Sequence, residues 1–165
     1  MLSEFYESTI IKVSAGFGFS DFNCDPGAIT EVLGVQPDSM SRKGEDFLLP
    51  NGKAGVRPFN SWGITSRSES KDVNVHLREL LERLEGKEGS LRADFGAPSF
   101  GVIWKGNYLY AGSGPYYEAD VLMGIARFGA ELWQDIYQVD QEHEGGGGGF
   151  RRIPKGAFFP QAGPD

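Results

Sequence analysis

The sequence predicts an α+β fold, with an antiparallel or mixed sheet that carries helices packed on one face. Segments in which apolar residues alternate with small or polar ones are interrupted by three segments with apolar residues at helical spacing. The strands come in short units that can pair antiparallel, which is typical of α+β domains. With 165 residues the chain has the size of one domain, and we expect a single α+β domain over residues 1–140.

The first two elements have the clearest signals. Apolar and small or polar residues alternate from residue 11 to residue 20, which predicts a strand with one buried face. Asp25 followed by Pro26 is typical of a helix start and Gly34 of a helix end, so we expect a short helix between them.

The middle of the chain is less regular. Residues 36–60 are rich in proline, glycine and charged residues and have no sustained period, which predicts a long loop with at most one short strand within residues 41–47. Trp62 and Ile64 then alternate with small residues. This pattern predicts a strand in which the Trp62 indole packs into the core.

The second half of the chain alternates helices and strands. Leucines at i, i+3, i+4 and i+7 over residues 77–84 predict an amphipathic helix. Alternating residues 100–104 lead into Gly106-Asn107 and then residues 108–110, which predicts a hairpin with a two-residue turn. A third helix over residues 121–128 and a final strand over residues 132–137 complete the predicted order.

A weak internal sequence similarity links the two halves of the chain. The first predicted helix ends in Leu33-Gly34, and the third ends in Phe128-Gly129. This similarity suggests a duplicated ferredoxin-like unit.

Residues 141–165 differ in composition from the rest of the chain. They comprise a polar stretch, five consecutive glycines, and an end with aromatic and basic residues. Glycine has the largest backbone entropy to lose on ordering, so we expect a flexible Gly-rich C-terminal tail that is mobile in the isolated protein. The aromatic and basic segment resembles a peptide that orders on a partner or folds back over the acidic body, but an unselected disordered end is the preferred interpretation.

Composition excludes several classes of function. A formal net charge of −7 disfavours binding to nucleic acid and to anionic membranes. One cysteine and two histidines allow neither an internal disulfide nor a Cys/His zinc site, and we expect no metal and no cofactor. The first residues lack the basic start of a signal peptide, and no apolar run reaches 18 residues, so we expect a cytoplasmic protein.

Five segments occur in the order and spacing of a known family: DPGAITEVLGVQPD, SRKGE, NSWGITS, HLRELLERL and FGAELWQDIY. Over residues 10–137 the chain resembles the bacterial family known as domain of unknown function 4279. The resemblance implies a small bacterial cytoplasmic α+β domain with no established activity, cofactor or catalytic residues. Some relatives occur beside toxin-immunity genes, so the resemblance is compatible with an immunity-type protein.

The local excess of positive charge within residues 42–57 is the strongest candidate ligand site. Guanidinium and ammonium groups on this predicted loop are suited to a carboxylate or a phosphate, and an indole nearby can form an apolar wall. The alternative is a solvated loop whose charges pair locally. The candidate ligand-binding residues are Arg42, Lys43, Glu45, Arg57 and Trp62.

No pattern indicates a catalytic centre. Cys24 precedes a helix cap, but no sequence feature brings His76 to it, so a structural cysteine is the preferred interpretation. Asp21 and Asp25 flank a helix start, where capping explains them better than acid-base chemistry.

We therefore expect a non-enzymatic protein-binding domain that uses its acidic surface to bind a partner with a basic surface. The alternative is a small-molecule-binding protein or minor enzyme that holds an anionic ligand at the loop of residues 42–57. The sequence does not indicate an oligomeric state.

Overall fold

The computed structural model describes residues 10–106 and 116–138, which form a five-stranded mixed sheet, a two-stranded hairpin and three α-helices. This arrangement confirms the predicted α+β class. The strands are β1 (Ile10–Ser20), β2 (Ser39–Ser41), β3 (Asp46–Leu48), β4 (Ala54–Val56), β5 (Ser61–Thr65), β6 (Ser99–Gly106) and β7 (Glu131–Gln138). The helices are α1 (Pro26–Leu33), α2 (Val73–Arg83) and α3 (Ala119–Arg127).

The large sheet has the strand order β2-β5-β1-β6-β7, with β1 at its centre. β1 pairs antiparallel with both β5 and β6, and β2 pairs antiparallel with β5. β7 runs parallel to β6, and α3 supplies the crossover that a parallel pair requires.

One face of the sheet forms the core with the three helices. Phe17 and Phe19 of β1 lie in this face with ring centroids 5.4 Å apart, and Phe19 also contacts the Trp62 ring. Because successive side chains of a strand point to opposite faces of the sheet, the β1 residues that alternate with Phe17 and Phe19 lie on the face opposite the helices. Most of the core consists of Val13, Ala15, Phe17, Phe19, Ile29, Leu33, Trp62, Ile64, Leu77, Leu80, Leu84, Phe95, Phe100, Val102, Trp104, Val121, Ile125 and Phe128.

α1 begins and ends where its sequence predicts, whereas α2 begins four residues before the leucines of residues 77–84 that predicted it. The Asp25 carboxylate accepts a hydrogen bond from the Gly27 N–H, and Gly34 closes α1 with φ 65°, a left-handed conformation that favours glycine. α2 begins in the same way, because the Asp72 carboxylate accepts from the Asn74 N–H.

The segment of residues 36–60 contains three short strands, β2, β3 and β4, where one at most was expected. Each has three residues, which is too short to show a two-residue period in the sequence. Two predicted features, the hairpin turn at Gly106-Asn107 and the tail of residues 141–165, lie outside the described residues.

The internal sequence similarity of the two helix ends has a structural counterpart. Gly34 and Gly129, with φ 65° and 59°, follow α1 and α3, and each leads into an edge strand parallel to the strand that precedes its helix. The two units differ because β5 lies between β1 and β2, whereas β6 and β7 are neighbours.

Candidate functional site

Residues 42–57 form a hairpin that we call the arm. Its strands β3 and β4 are joined by a turn in which Leu49 N–H donates to the Lys53 carbonyl at 2.8 Å and Gly52 adopts φ 79°. Pro50, Asn51 and Gly52 are residues that such a turn favours, with Gly52 in the left-handed position. At the base, Arg57 N–H donates to the Glu45 carbonyl at 2.8 Å.

The two faces of the arm differ. On one face the Phe47 ring packs on Gly55, where an added Cβ would lie 2.9 Å from the ring, and the Arg57 guanidinium carbon lies 4.2 Å from the ring centroid. On the other face Leu48 is 75% exposed and Val56 is 60% exposed. The arm therefore presents two aliphatic side chains to solvent.

The arm is a separate sheet of two strands, and no other strand in the described part of the chain pairs with it. An isolated two-stranded hairpin is at best marginally stable in water, so contacts beyond its own ladder add to its stability. The arm is also locally cationic. Its four basic and two acidic residues give it a formal net charge of +2, whereas the whole chain has a formal net charge of −7.

The base of the arm is attached to the body by polar contacts. Arg42 Nε lies 2.9 Å from Asp25 Oδ2, and Arg42 also pairs with Glu45. Asn60 is the second attachment: its Oδ1 accepts from the Lys43 N–H at 2.8 Å, and its Nδ2 donates to the carbonyls of Phe22 and Cys24.

The structure brings four of the five predicted ligand-binding residues together at this base. Arg42, Lys43, Glu45 and Arg57 are neighbours, but Arg42 binds two carboxylates and Arg57 lies over an aromatic ring. Trp62 is completely buried and donates its Nε1–H to Thr30 Oγ1 at 2.9 Å, so it presents no wall to a surface ligand.

The ion pair at the base predicts a measurable titration. Hydrogen bonds from Arg42 and from the Gly27 N–H lower the pKa of the Asp25 carboxyl below its ordinary 3.8. The stability that the ionised Asp25 carboxylate contributes is therefore fully present above the ordinary pKa of 3.8. This stability is lost as the pH falls through the lowered pKa of the folded protein. In Arg42→Met we expect the Asp25 pKa to rise part of the way back, as followed by carboxyl NMR.

Asp120 provides the control for this titration, because its pKa is lowered by a different arginine, Arg78. It should titrate identically in the parent and in Arg42→Met. An unchanged Asp25 pKa in the variant would show that the pair does not persist in solution.

Sequence reasoning missed the residues that build the arm. The Pro50-Asn51-Gly52 turn between two short segments was the available signal for a hairpin. No sequence signal identifies Asn60, because its partners lie 17 to 38 positions away along the chain.

Cys24 and His76 belong to different parts of the molecule. Burial, and next the nearby Asp94 carboxylate, raise the pKa of the Cys24 thiol, which favours the unreactive protonated form. His76 is completely buried, and its Nε2 lies 2.7 Å from the Ser70 carbonyl while Nδ1 is bonded to the Ser66 hydroxyl.

The Ser66–His76 pair resembles a nucleophile and base, but the surrounding amides are occupied. Ser66 N–H donates to the Ala15 carbonyl, and the N–H groups of residues 67 and 68 donate to the Glu79 carboxylate. Within residues 66–68 no backbone donor remains for an oxyanion. The pair therefore fastens the loop before α2 to the helix.

The start of α2 also holds the segment before α3. The Asn74 side chain donates to the Tyr116 carbonyl and accepts from the Glu118 N–H, while Arg78 pairs with Glu118 and Asp120. These contacts fix α3 against α2.

Over residues 10–106 and 116–138, no three His, Cys, Asp or Glu side chains are grouped closely enough to hold a metal ion. No helix within these same ranges has the length and apolar character needed to cross a membrane.

Comparisons with known proteins give a family and no activity. No curated protein and no solved structure matches the chain. One family matches residues 11–139, which include all seven strands and three helices apart from the first residue of β1. The chain thus belongs to the family described as a domain of unknown function, DUF4279.

Proposed function

We propose that this protein is a non-enzymatic protein-binding domain that contacts its partner through the arm. The observation that carries the proposal is the exposure of Leu48 and Val56 on a hairpin that stands outside the main sheet. Two exposed aliphatic residues on one face of a hairpin are suited to burial in a partner's apolar pocket.

The arm is held in place for such a role. Phe47, stacked between Gly55 and Arg57, stiffens the hairpin, and Arg42 and Asn60 fix its base to the body. A preorganised surface loses less entropy when it binds, so more of its contact energy appears as affinity.

The local charge of the arm determines the chemistry of the partner that it fits. A basic partner was expected from the net charge of the whole chain, but the arm carries +2. For the arm we therefore propose a partner surface with an apolar pocket bordered by carboxylates. Whether this partner is a toxin, as an immunity-type role requires, stays a prediction.

The alternative of an anionic ligand at residues 42–57 has weaker support. A ligand would have to displace Asp25 and Glu45 from Arg42, and Trp62 is buried beneath the surface. We therefore do not propose an anionic ligand at this position.

The proposal is tested first by photocrosslinking. A photoreactive amino acid at position 48 should capture a partner in the native host, and mass spectrometry identifies it. The purified partner is then titrated with the parent and with the double variant Leu48→Asp/Val56→Asp. We expect the variant to bind at least about tenfold more weakly, since about 1.4 kcal/mol lost at the interface has this effect.

Met123→Asp is the matched control, because Met123 is 57% exposed but lies on α3, which is not part of the arm. It should bind as the parent does. Equal affinity of the arm variant and the parent, with both folded by circular dichroism, would refute the arm as the contact surface.

A further inference from the structure

Strand β7 forms one edge of the large sheet, and no other strand within the described ranges pairs with its outer side. Glu131 N–H donates to the Pro98 carbonyl, so the backbone groups of Glu131 face β6. Because the backbone groups of successive strand residues point alternately to the two sides of the strand, those of Leu132, Gln134 and Ile136 face outward. β7 thus presents a row of backbone donors and acceptors along its outer side.

This edge lacks the features by which proteins usually block an exposed strand. Short length, proline, lysine and bulges are the common means of protection. β7 has eight residues without proline, glycine or lysine, and its register with β6 is uninterrupted. The strand at the opposite edge, β2, has only three residues. Residues 134–137 are exposed, and Ile136 is 48% exposed, so the outer side of β7 is accessible to another strand.

An exposed leucine of α3 lies above the same edge. α2 packs on β1 and α3 packs on β7, so the flank of α3 that turns away from α2 lies above the outer side of β7. Asp120 faces α2, because it pairs with Arg78. Gly124 also faces α2, since a Cβ added to it would lie 2.6 Å from Leu81 Cδ1. Leu122 is two positions from each of these residues, a rotation of about 200°, and it is 44% exposed on the outer flank.

We propose that the outer side of β7 pairs antiparallel with β7 of a second copy of this chain, so that the two large sheets join across a two-fold axis. The axis is perpendicular to the joined sheet, so the helices of both copies lie on one face and the outer flanks of the two α3 helices face each other. This contact is closed, because each copy uses its β7 edge and the remaining edge strand, β2, has only three residues.

The charges of β7 exclude two registers. The two-fold axis sets helix-side residues opposite helix-side residues, so it passes level with one residue of the strand. An axis at Asp135 would set this carboxylate opposite its own copy. An axis at Trp133 would set Asp135 opposite Glu131 of the second copy. Like charges directly opposite each other destabilise a strand pair, so neither register is favoured.

An axis at Gln134 avoids these contacts and pairs the aliphatic residues. It sets Leu132 opposite Ile136 of the second copy, twice, on the helix side, where the same residues lie beside Phe100 and Trp104. An axis at Leu132 or Ile136 would leave the other aliphatic residue opposite no residue of β7. The three outward-facing residues are also the ones that pair, so each of three pairs can exchange two backbone hydrogen bonds.

Sedimentation measures whether the chain forms this dimer. At physiological ionic strength, which screens the repulsion between two chains of −7, the parent should be a dimer at micromolar concentration. Leu122→Asp and Ile136→Asp should each raise the dimer dissociation constant at least about tenfold, because each brings two carboxylates into the contact. Val75→Asp is the matched control and should sediment as the parent does, since Val75 is 42% exposed on α2, which packs on β1.

Two results would overturn the proposal, with every variant shown to be folded by circular dichroism. One is a parent that stays monomeric, which would leave the edge to another segment or to a different partner. The other is a dimer that both aspartate variants leave intact.

Disulfide formation tests the register. In a Cys24→Ser background, Gln134→Cys should give a disulfide-linked dimer on mild oxidation, because Cα atoms of a hydrogen-bonded antiparallel pair lie about 5.5 Å apart, within disulfide range. Tyr137→Cys is the control, since an axis at Gln134 places its two copies about 20 Å apart along the strands. No crosslink at position 134, or an equal crosslink at position 137, would contradict the proposed pairing.

Discussion

Replacing Trp62 by alanine should lower the free energy of unfolding by about 3–5 kcal/mol, as large aromatic truncations in cores do. The indole is completely buried on β5, contacts the Phe19 ring, and donates its N–H to Thr30 of α1. Its loss leaves a cavity between the sheet and α1 and an unpaired Thr30 hydroxyl. Urea unfolding at equilibrium measures the effect.

Two further variants separate the causes of this loss. Trp62→Phe keeps an aromatic ring but removes the hydrogen bond to Thr30, so it should cost less than Trp62→Ala. Val56→Ala, on the exposed face of the arm, should change stability by no more than about 0.5 kcal/mol. A Trp62→Ala protein as stable as the parent would show that the indole is not part of the core.

Replacing His76 by leucine should be the second large destabilisation. Leucine fills much of the same space but leaves the Ser66 hydroxyl and the Ser70 carbonyl without their partner. A polar group left unpaired in a buried position costs about 1–3 kcal/mol, and because Ser66 and Ser70 are only half-buried we expect the lower part of this range for each. Urea unfolding again provides the measurement, and the loop before α2 should become more accessible to protease.

A double-mutant cycle with Ser66→Ala tests the assigned contact. If the hydroxyl donates to His76 Nδ1, the double variant should lose less stability than the sum of the two single variants. Strictly additive losses would mean that the two side chains do not interact in solution.

The sequence predicted those elements whose pattern repeats several times. β1 has 11 residues and α2 has 11, so an alternating or helical period is visible in each. The strands of the arm have three residues each, and their position depends on a turn and on contacts with Asn60, far along the chain. A periodic pattern cannot show either dependence.

Only part of the candidate site could be predicted, because a sequence pattern shows which residues are present but not which distant residues they contact. The excess of positive charge within residues 42–57 was visible, and four of the five residues do lie together at the base of the arm. Their partners were not visible, because Arg42 pairs with Asp25 17 positions earlier. The exposed Leu48 and Val56 were missed because exposure depends on the fold.

The central position of β1 has a consequence for synthesis of the chain. β1 is synthesised before both of its partners, β5 and β6, which end at Thr65 and Gly106. At roughly 5–20 residues per second, about 4–17 s pass between completion of β1 and completion of β6. Until β5 is complete β1 has two edges without a partner strand, and one of them stays open until β6 is complete, so the nascent chain exposes an aggregation-prone strand edge during this interval.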